Sequence, residues 1–172
     1  MSMLTVCALV CTTVALAGSA VLPETKAESN ERAKTHLIKR SVGCGGWFEF
    51  NRRCFYFIPK PMSWALAERN CMSLGGHLAS VHNFMEYHEL QRLILHHGYE
   101  YQETWIGGSD AHQKGHWIWS DGSMFYYTNW CPGEPNNAGG HQHCLQMNYS
   151  GRKCWDDLSC YDQRPSVCAK NM

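Results

Sequence analysis

Nowhere does the 172-residue sequence hold an apolar run long enough to cross a membrane, which takes about 20 residues. Its longest apolar run, Leu4 to Ala17, is too short and ends among small residues, Ala15-Leu16-Ala17 and then Gly18-Ser19-Ala20. That pattern predicts a secretory leader over residues 1–20, although the positively charged start of such a leader is missing. Charge of one sign is missing too, since Lys+Arg and Asp+Glu are both 15. A neutral chain offers no basic field for nucleic acid and no acidic tail. No Cys-x-x-Cys pair occurs, which argues against a zinc ribbon or a thioredoxin-type centre. There is no internal repeat. No Ser-His-Asp or paired-acid pattern is visible, so an enzyme is not expected.

What is present begins with a polar stretch at residues 21–40 that lacks cysteine and aromatics and ends in Lys39-Arg40. It reads as a propeptide or flexible arm, with the dibasic pair as a processing site. Composition changes sharply after Arg40, so one domain is expected over residues 41–172, with a slight acidic excess. Charged residues are only 17% of the chain and aromatics are 12%, with seven Trp, so a packed core is expected rather than disorder. Cys7 and Cys11 fall in the leader, and eight cysteines remain: Cys44, Cys54, Cys71, Cys131, Cys144, Cys154, Cys160 and Cys168. An even set in a secreted domain predicts disulfides, each contributing about 2–4 kcal/mol, but spacing alone does not choose the pairing.

Local pattern predicts an α+β plan. WFEFNRRCFYFI alternates and gives two strands around Asn51-Arg52. SWALAERNCMSLGG carries helix signals, with Ser63 able to cap and Gly75-Gly76 as the stop. A strand piece at HLASV and a second helix follow, the helix with an apolar stripe of Phe84, Tyr87, Leu90, Ile94 and Leu95 that suits core packing. TWIGGSD, HWIWSDGSMFYYTNW, HCLQMN and SVCAK read as further strands.

The segment GEPNNAGGHQHCLQMNYSGRKCWDD concentrates side-chain oxygens. A hard cation such as Ca²⁺ takes about 6–8 oxygen ligands, and Glu134, Asn136, Gln142, Asp156 and Asp157 offer five such side chains. Taken alone, a Glu-Pro-Asn turn is more simply a solvated loop. His141 and His143 form a His-x-His pair that could hold zinc or copper, though rim histidines are the simpler reading. Trp130 and Tyr149 are candidates to stack on a sugar face, while Trp105, Trp117, Trp119 and Trp155 are expected in the core. Asn148 opens an Asn-Tyr-Ser sequon and reads as a loop glycosylation site.

Together, Trp64, Ala65 and Cys71, GGHLASV, TWIGG, WIWSDGS, Asn129-Trp130, Glu134-Pro135-Asn136, CWDDLSC and SVCAK resemble the C-type lectin-like domain over about Cys44 to Lys170. The resemblance implies that fold: two helices, small antiparallel sheets and long loops, stapled by disulfides. It implies the pairs Cys71–Cys168, Cys144–Cys160 and, in the longer form, Cys44–Cys54. The remaining pair, Cys131–Cys154, is similar to a staple of fish type II antifreeze proteins and related fish lectins. It further implies a cis bond before Pro135 and a calcium ion on which two neighbouring sugar hydroxyls replace water. Glu134-Pro135-Asn136 resembles the version that prefers mannose-type hydroxyls.

Two positions depart from that pattern. Gln142 stands where the family has Glu, and Asp156 where it has Asn, so charge and amide are exchanged in the second pair. The implied metal ligands are Glu134, Asn136, Gln142, Asp156 and Asp157, and the implied sugar contacts are Glu134, Asn136, Gln142 and Asp156. An accessory calcium place falls on Asp110, Lys114, Asn137 and His143, whose Lys and His argue against a second ion. The expectation is one Ca²⁺ and a secreted lectin for glycans with mannose-like vicinal hydroxyls. The alternatives are an ice-binding antifreeze protein and a calcium-independent protein-binding domain. No heptad precedes the domain, and no cysteine is left over for a linked dimer if all eight pair.

Overall fold

The computed structural model describes residues 42–172, from which the leader, the arm and the Lys39-Arg40 pair lie outside. A short 3₁₀ turn, Val42–Cys44, leads into β1 (Phe48–Phe50) and β2 (Arg53–Met62), joined by a turn in which Asn51 and Arg52 both adopt positive φ. Helix α1 (Trp64–Ser73), the strand piece β3 (His77–Leu78) and helix α2 (Phe84–His96) follow. The second half is β4 (Thr104–Ser109), β5 (Ile118–Trp119), β6 (Cys144–Tyr149), β7 (Cys154–Leu158) and β8 (Arg164–Asn171), with a 3₁₀ turn at Ala138–Gly140. The sheet runs β1-β2-β8-β4-β6-β7, with β3 on β8 and β5 on β4. Pairing is antiparallel except between β4 and β8.

Local chemistry explains the main boundaries. The β2–β8 register shifts between Ile58 and Met62, where Pro59 and Pro61 have no N–H to give the ladder. Ser63 occupies the start of α1, yet its side chain makes no capping bond, contrary to expectation. Asn83 does cap α2, its Oδ1 accepting from Glu86 N at 2.9 Å. Gly76 is required where α1 turns down onto β8, since a Cβ there would lie 2.3 Å from the Ala169 carbonyl oxygen.

The α2 stripe is rotated from the expected one. Tyr87, Leu90 and Ile94 are buried, but so is Leu93, while Phe84 and Leu95 face solvent. HWIWSDGSMFYYTNW is also mostly not strand: only Ile118–Trp119 forms one, Trp130 makes a single bridge to Trp155, and Phe125, Tyr127 and Trp130 pack against the core. Trp105, Trp119 and Trp155 are fully buried and Trp117 partly so. Trp155 sits edge-on to Trp119, Tyr127 and Trp130 at 5.7, 5.6 and 5.8 Å, an arrangement that suits aromatic quadrupoles.

Four disulfides close the domain: Cys44–Cys54, Cys71–Cys168, Cys131–Cys154 and Cys144–Cys160. The second ties α1 to the central strand β8. The third ties the loop after Trp130 to the start of β7.

Candidate site at the edge of the sheet

Strand β7 ends the sheet, and the chain at Asn129–Cys131 lies along its outer edge. Trp155 N donates to Asn129 O at 2.8 Å and Cys131 N to Trp155 O at 2.9 Å. The Cys131–Cys154 bridge fixes the same junction. The loop then turns back over β7, and the Glu134–Pro135 bond within it is cis.

This path brings all five oxygen-bearing side chains together. Carboxylate oxygens of Glu134, Asp156 and Asp157 lie within 4.8 Å of one another. Asn136 donates to Glu134 from its backbone N at 3.1 Å and from Nδ2 at 3.0 Å. Asp157 accepts from Asn136 N at 2.9 Å and from Asn137 N at 2.8 Å. The amide oxygens of Asn136 and Gln142 converge on one donor, Ala138 N, at 2.7 and 2.5 Å. Asp156 accepts from Gln146 Nε2 at 2.8 Å.

Crowding three carboxylates has an electrostatic cost. Partial burial, and then repulsion from Asp156 and Asp157, push the Glu134 carboxyl above its ordinary range. Burial raises Asp156 as well, with repulsion from Asp157 and Glu103 adding to it and the Gln146 amide opposing it. The N–H donors offset part of this, and each carboxylate oxygen keeps a further lone pair. Hard oxygen donors with uncompensated negative charge are the donor set that suits Ca²⁺, so these residues fit such an ion.

Other candidates fall elsewhere. His143 Nδ1 meets Asp110 Oδ1 at 2.9 Å, and Asp110 Oδ2 accepts from Gly115 N at 2.7 Å. Asn137 Oδ1 accepts from Gln142 N at 3.0 Å, so the accessory place is tied up by internal bonds. His141 belongs to the loop, its ring nitrogen on Gly139 O at 2.9 Å. Trp130 packs against Trp117 at 4.7 Å and is half-buried, not free as a stacking platform.

Asn148 is a correction. It is 1% exposed in β6, where its Oδ1 accepts from Gln91 Nε2 at 3.0 Å and its Nδ2 donates to Gln102 O at 3.1 Å. A nitrogen enclosed in that way is not presented to solvent for a glycan, unlike the loop site that the sequon leads one to expect. Two participants were not expected in this role: Asn137, assigned from sequence to the accessory place but bracing both Asp157 and Gln142, and Gln146, which holds Asp156. A polar residue inside the apolar strand CLQMN was the available signal for the latter.

With fold and geometry in place, comparison with known proteins identifies the class. The profile of the Lectin C-type domain matches residues 60–170. The chain belongs to the C-type lectin domain family, a family of non-enzymatic binding domains. It is 41% identical to ladderlectin of Oncorhynchus mykiss, over 100% of this chain and 96% of that protein. It is 39% identical to a type-2 ice-structuring protein of Brachyopsis segaliensis, over 98% of each. It is 42% identical to the galactose-specific lectin nattectin of Thalassophryne nattereri, over 74% of this chain and 79% of that one. Among solved structures, a calcium-independent type II antifreeze protein superposes with a TM-score of 0.66 at 40% identity, covering 73% of this chain and 92% of its own. A Ca²⁺-dependent type II antifreeze protein in its Ca²⁺-free form gives 0.67 at 34%, covering 73% and 97%. Among the described residues, no helix is long and apolar enough to cross a membrane.

Proposed function

We propose that the protein is a secreted, calcium-dependent carbohydrate-binding lectin with one ion, held by Glu134, Asn136, Gln142, Asp156 and Asp157. The observation that carries this is the convergence of three carboxylates within 4.8 Å beside two amides. An ion held there would offer coordination positions to two neighbouring hydroxyls. Around it, Asn136 with Glu134, and Gln142 with Asp156, form two amide–carboxylate pairs. Each pair can give one hydrogen bond to a hydroxyl and accept one from it, which suits mannose-like vicinal hydroxyls. Nattectin is named galactose-specific, so galactose is the competing sugar.

A second reading is ice binding without calcium. It is supported by relatives named ice-structuring proteins and by a calcium-independent antifreeze structure of the same fold. The internal N–H donors on Glu134 and Asp157 would let the loop persist without metal. Against it, ice faces favour flat arrays of Thr and Ala. Only two threonines follow Ser41, and one of them, Thr104, is fully buried.

A glycan array probed in calcium and again in chelator separates these. The lectin predicts mannose-class signals that vanish in chelator. Uniform absence of signal, together with inhibition of ice recrystallisation in chelator, would transfer the function to ice.

A further inference from the structure

Gln146 lies in the middle of β6 with 1% of its surface exposed. It stands directly opposite Asp156 across the β6–β7 ladder. Its Nε2 donates to Asp156 Oδ2 at 2.8 Å, and its Oε1 accepts from Arg164 Nε at 3.0 Å. Chemistry forces this orientation, because a guanidinium only donates and a carboxylate only accepts. The flipped amide would aim its carbonyl at a carboxylate and its NH₂ at a guanidinium. Arg164 is steadied from outside by Glu103, Nη2 to Oε2 being 3.4 Å. A line of polar contacts therefore runs from the solvent edge at Glu103, through Arg164 and Gln146, to one oxygen of Asp156.

We propose that Gln146, locked by Arg164, is a positioning and specificity-determining residue for the oxygen-lined site. By holding Oδ2, it fixes the orientation of the Asp156 carboxylate, which also faces the Glu134 carboxyl and toward a ligand can only accept. This rests on the lectin reading above and adds a statement about ligand chemistry. At Asp156 the ligand must donate. At Gln142 the Oε1 accepts from Ala138 N and on the lectin reading gives its other lone pair to the ion, so Nε2 is left to donate and the ligand must accept. Adjacent hydroxyls of a neutral polyol can do both. A pair of carbonyl or ether oxygens cannot satisfy Asp156.

The same lock gives Asp156→Asn a defined consequence. Gln146 would capture the new amide carbonyl and turn its NH₂ toward the cation position, where an oxygen is needed. A residue that orients a metal ligand in this way is typically worth about 10–100-fold in metal affinity.

The test uses Tb³⁺ as the probe on the folded domain, reading affinity by titration and counting coordinated waters from luminescence lifetimes in H₂O and D₂O. Wild type, Gln146→Met and Arg164→Met are compared, with melting temperatures taken in chelator. Gln146→Met is expected to bind about 10-fold or more weakly, with an additional water on the ion. Arg164→Met, at the rim of the sheet, should shift both readouts the same way, and it decides the matter if Gln146→Met does not fold. If melting temperatures fall while affinity and water count stay at wild-type values, Gln146 only packs the core and the inference is overturned. If wild type itself fails to bind Tb³⁺, it is the lectin reading that falls.

Discussion

At the scale of single residues, Glu134 carries the tension of the site. Its carboxyl is raised by partial burial and by two neighbouring acids. A carboxyl with a raised folded value favours the folded state while protonated, and that contribution is lost as pH rises through the raised value. The loss therefore falls above the ordinary value of 4.5, and the metal-free loop is under most repulsion near neutrality. Glu134→Gln removes the titration. In chelator, the melting temperature of Glu134→Gln relative to wild type should be more favourable at pH 7 than at pH 4. Thermal melts at the two values check this, and an equal offset at both would contradict it. The cost of the empty site is the counterpart of its attraction for a cation, so the same substitution should weaken calcium binding.

Between elements, a polar junction joins β2, α2 and the turn after β5. Arg53 on β2 meets Glu86 of α2 at 2.5 Å, Ser80 Oγ at 2.7 Å and Asp121, in the turn after β5, at 3.8 Å. Glu86 is only 2% exposed and also accepts from His82 N at 2.7 Å. Arg53→Met would leave that carboxylate buried without its cation, a loss of about 3–5 kcal/mol, whereas removing both charges should recover most of it. Denaturant unfolding of Arg53→Met and of Arg53→Met/Glu86→Gln tests this, and equal stability of single and double variants would refute it.

Elements announced themselves in the sequence unevenly. The strands TWIGGS, CLQMN and SVCAK were legible as short runs between turn signals. The stretch from His116 to Trp130 was not. Its aromatics recur as in a strand, yet they serve a loop whose rings surround Trp155. The phase of α2 is not legible because Phe84 and Leu95 have the character of core residues, while burial follows Tyr87, Leu90, Leu93 and Ile94. The oxygens at Glu134, Asn136, Gln142, Asp156 and Asp157 were visible as a cluster because the chain crowds them into one segment. Gln146 was not, since its meaning comes from the β6–β7 register and from Arg164 on another strand. Asn148 misled for the same reason: a sequon says nothing of the Gln91 and Gln102 partners that enclose it.

For the molecule as a whole, a slightly acidic, disulfide-closed domain places its crowded carboxylates at a sheet edge where a loop folds back on the edge strand. The core beneath is a rigid aromatic cluster centred on Trp155, next in sequence to the two aspartates. Such a frame can keep the loop near its working geometry and let a cation bind without refolding the domain. Isothermal titration of calcium into the chelator-treated folded domain tests this most directly. A single saturable binding event of one ion per chain is predicted, greatly weakened in Glu134→Gln. Absence of any calcium heat at millimolar ion, in a protein that remains folded, would contradict it.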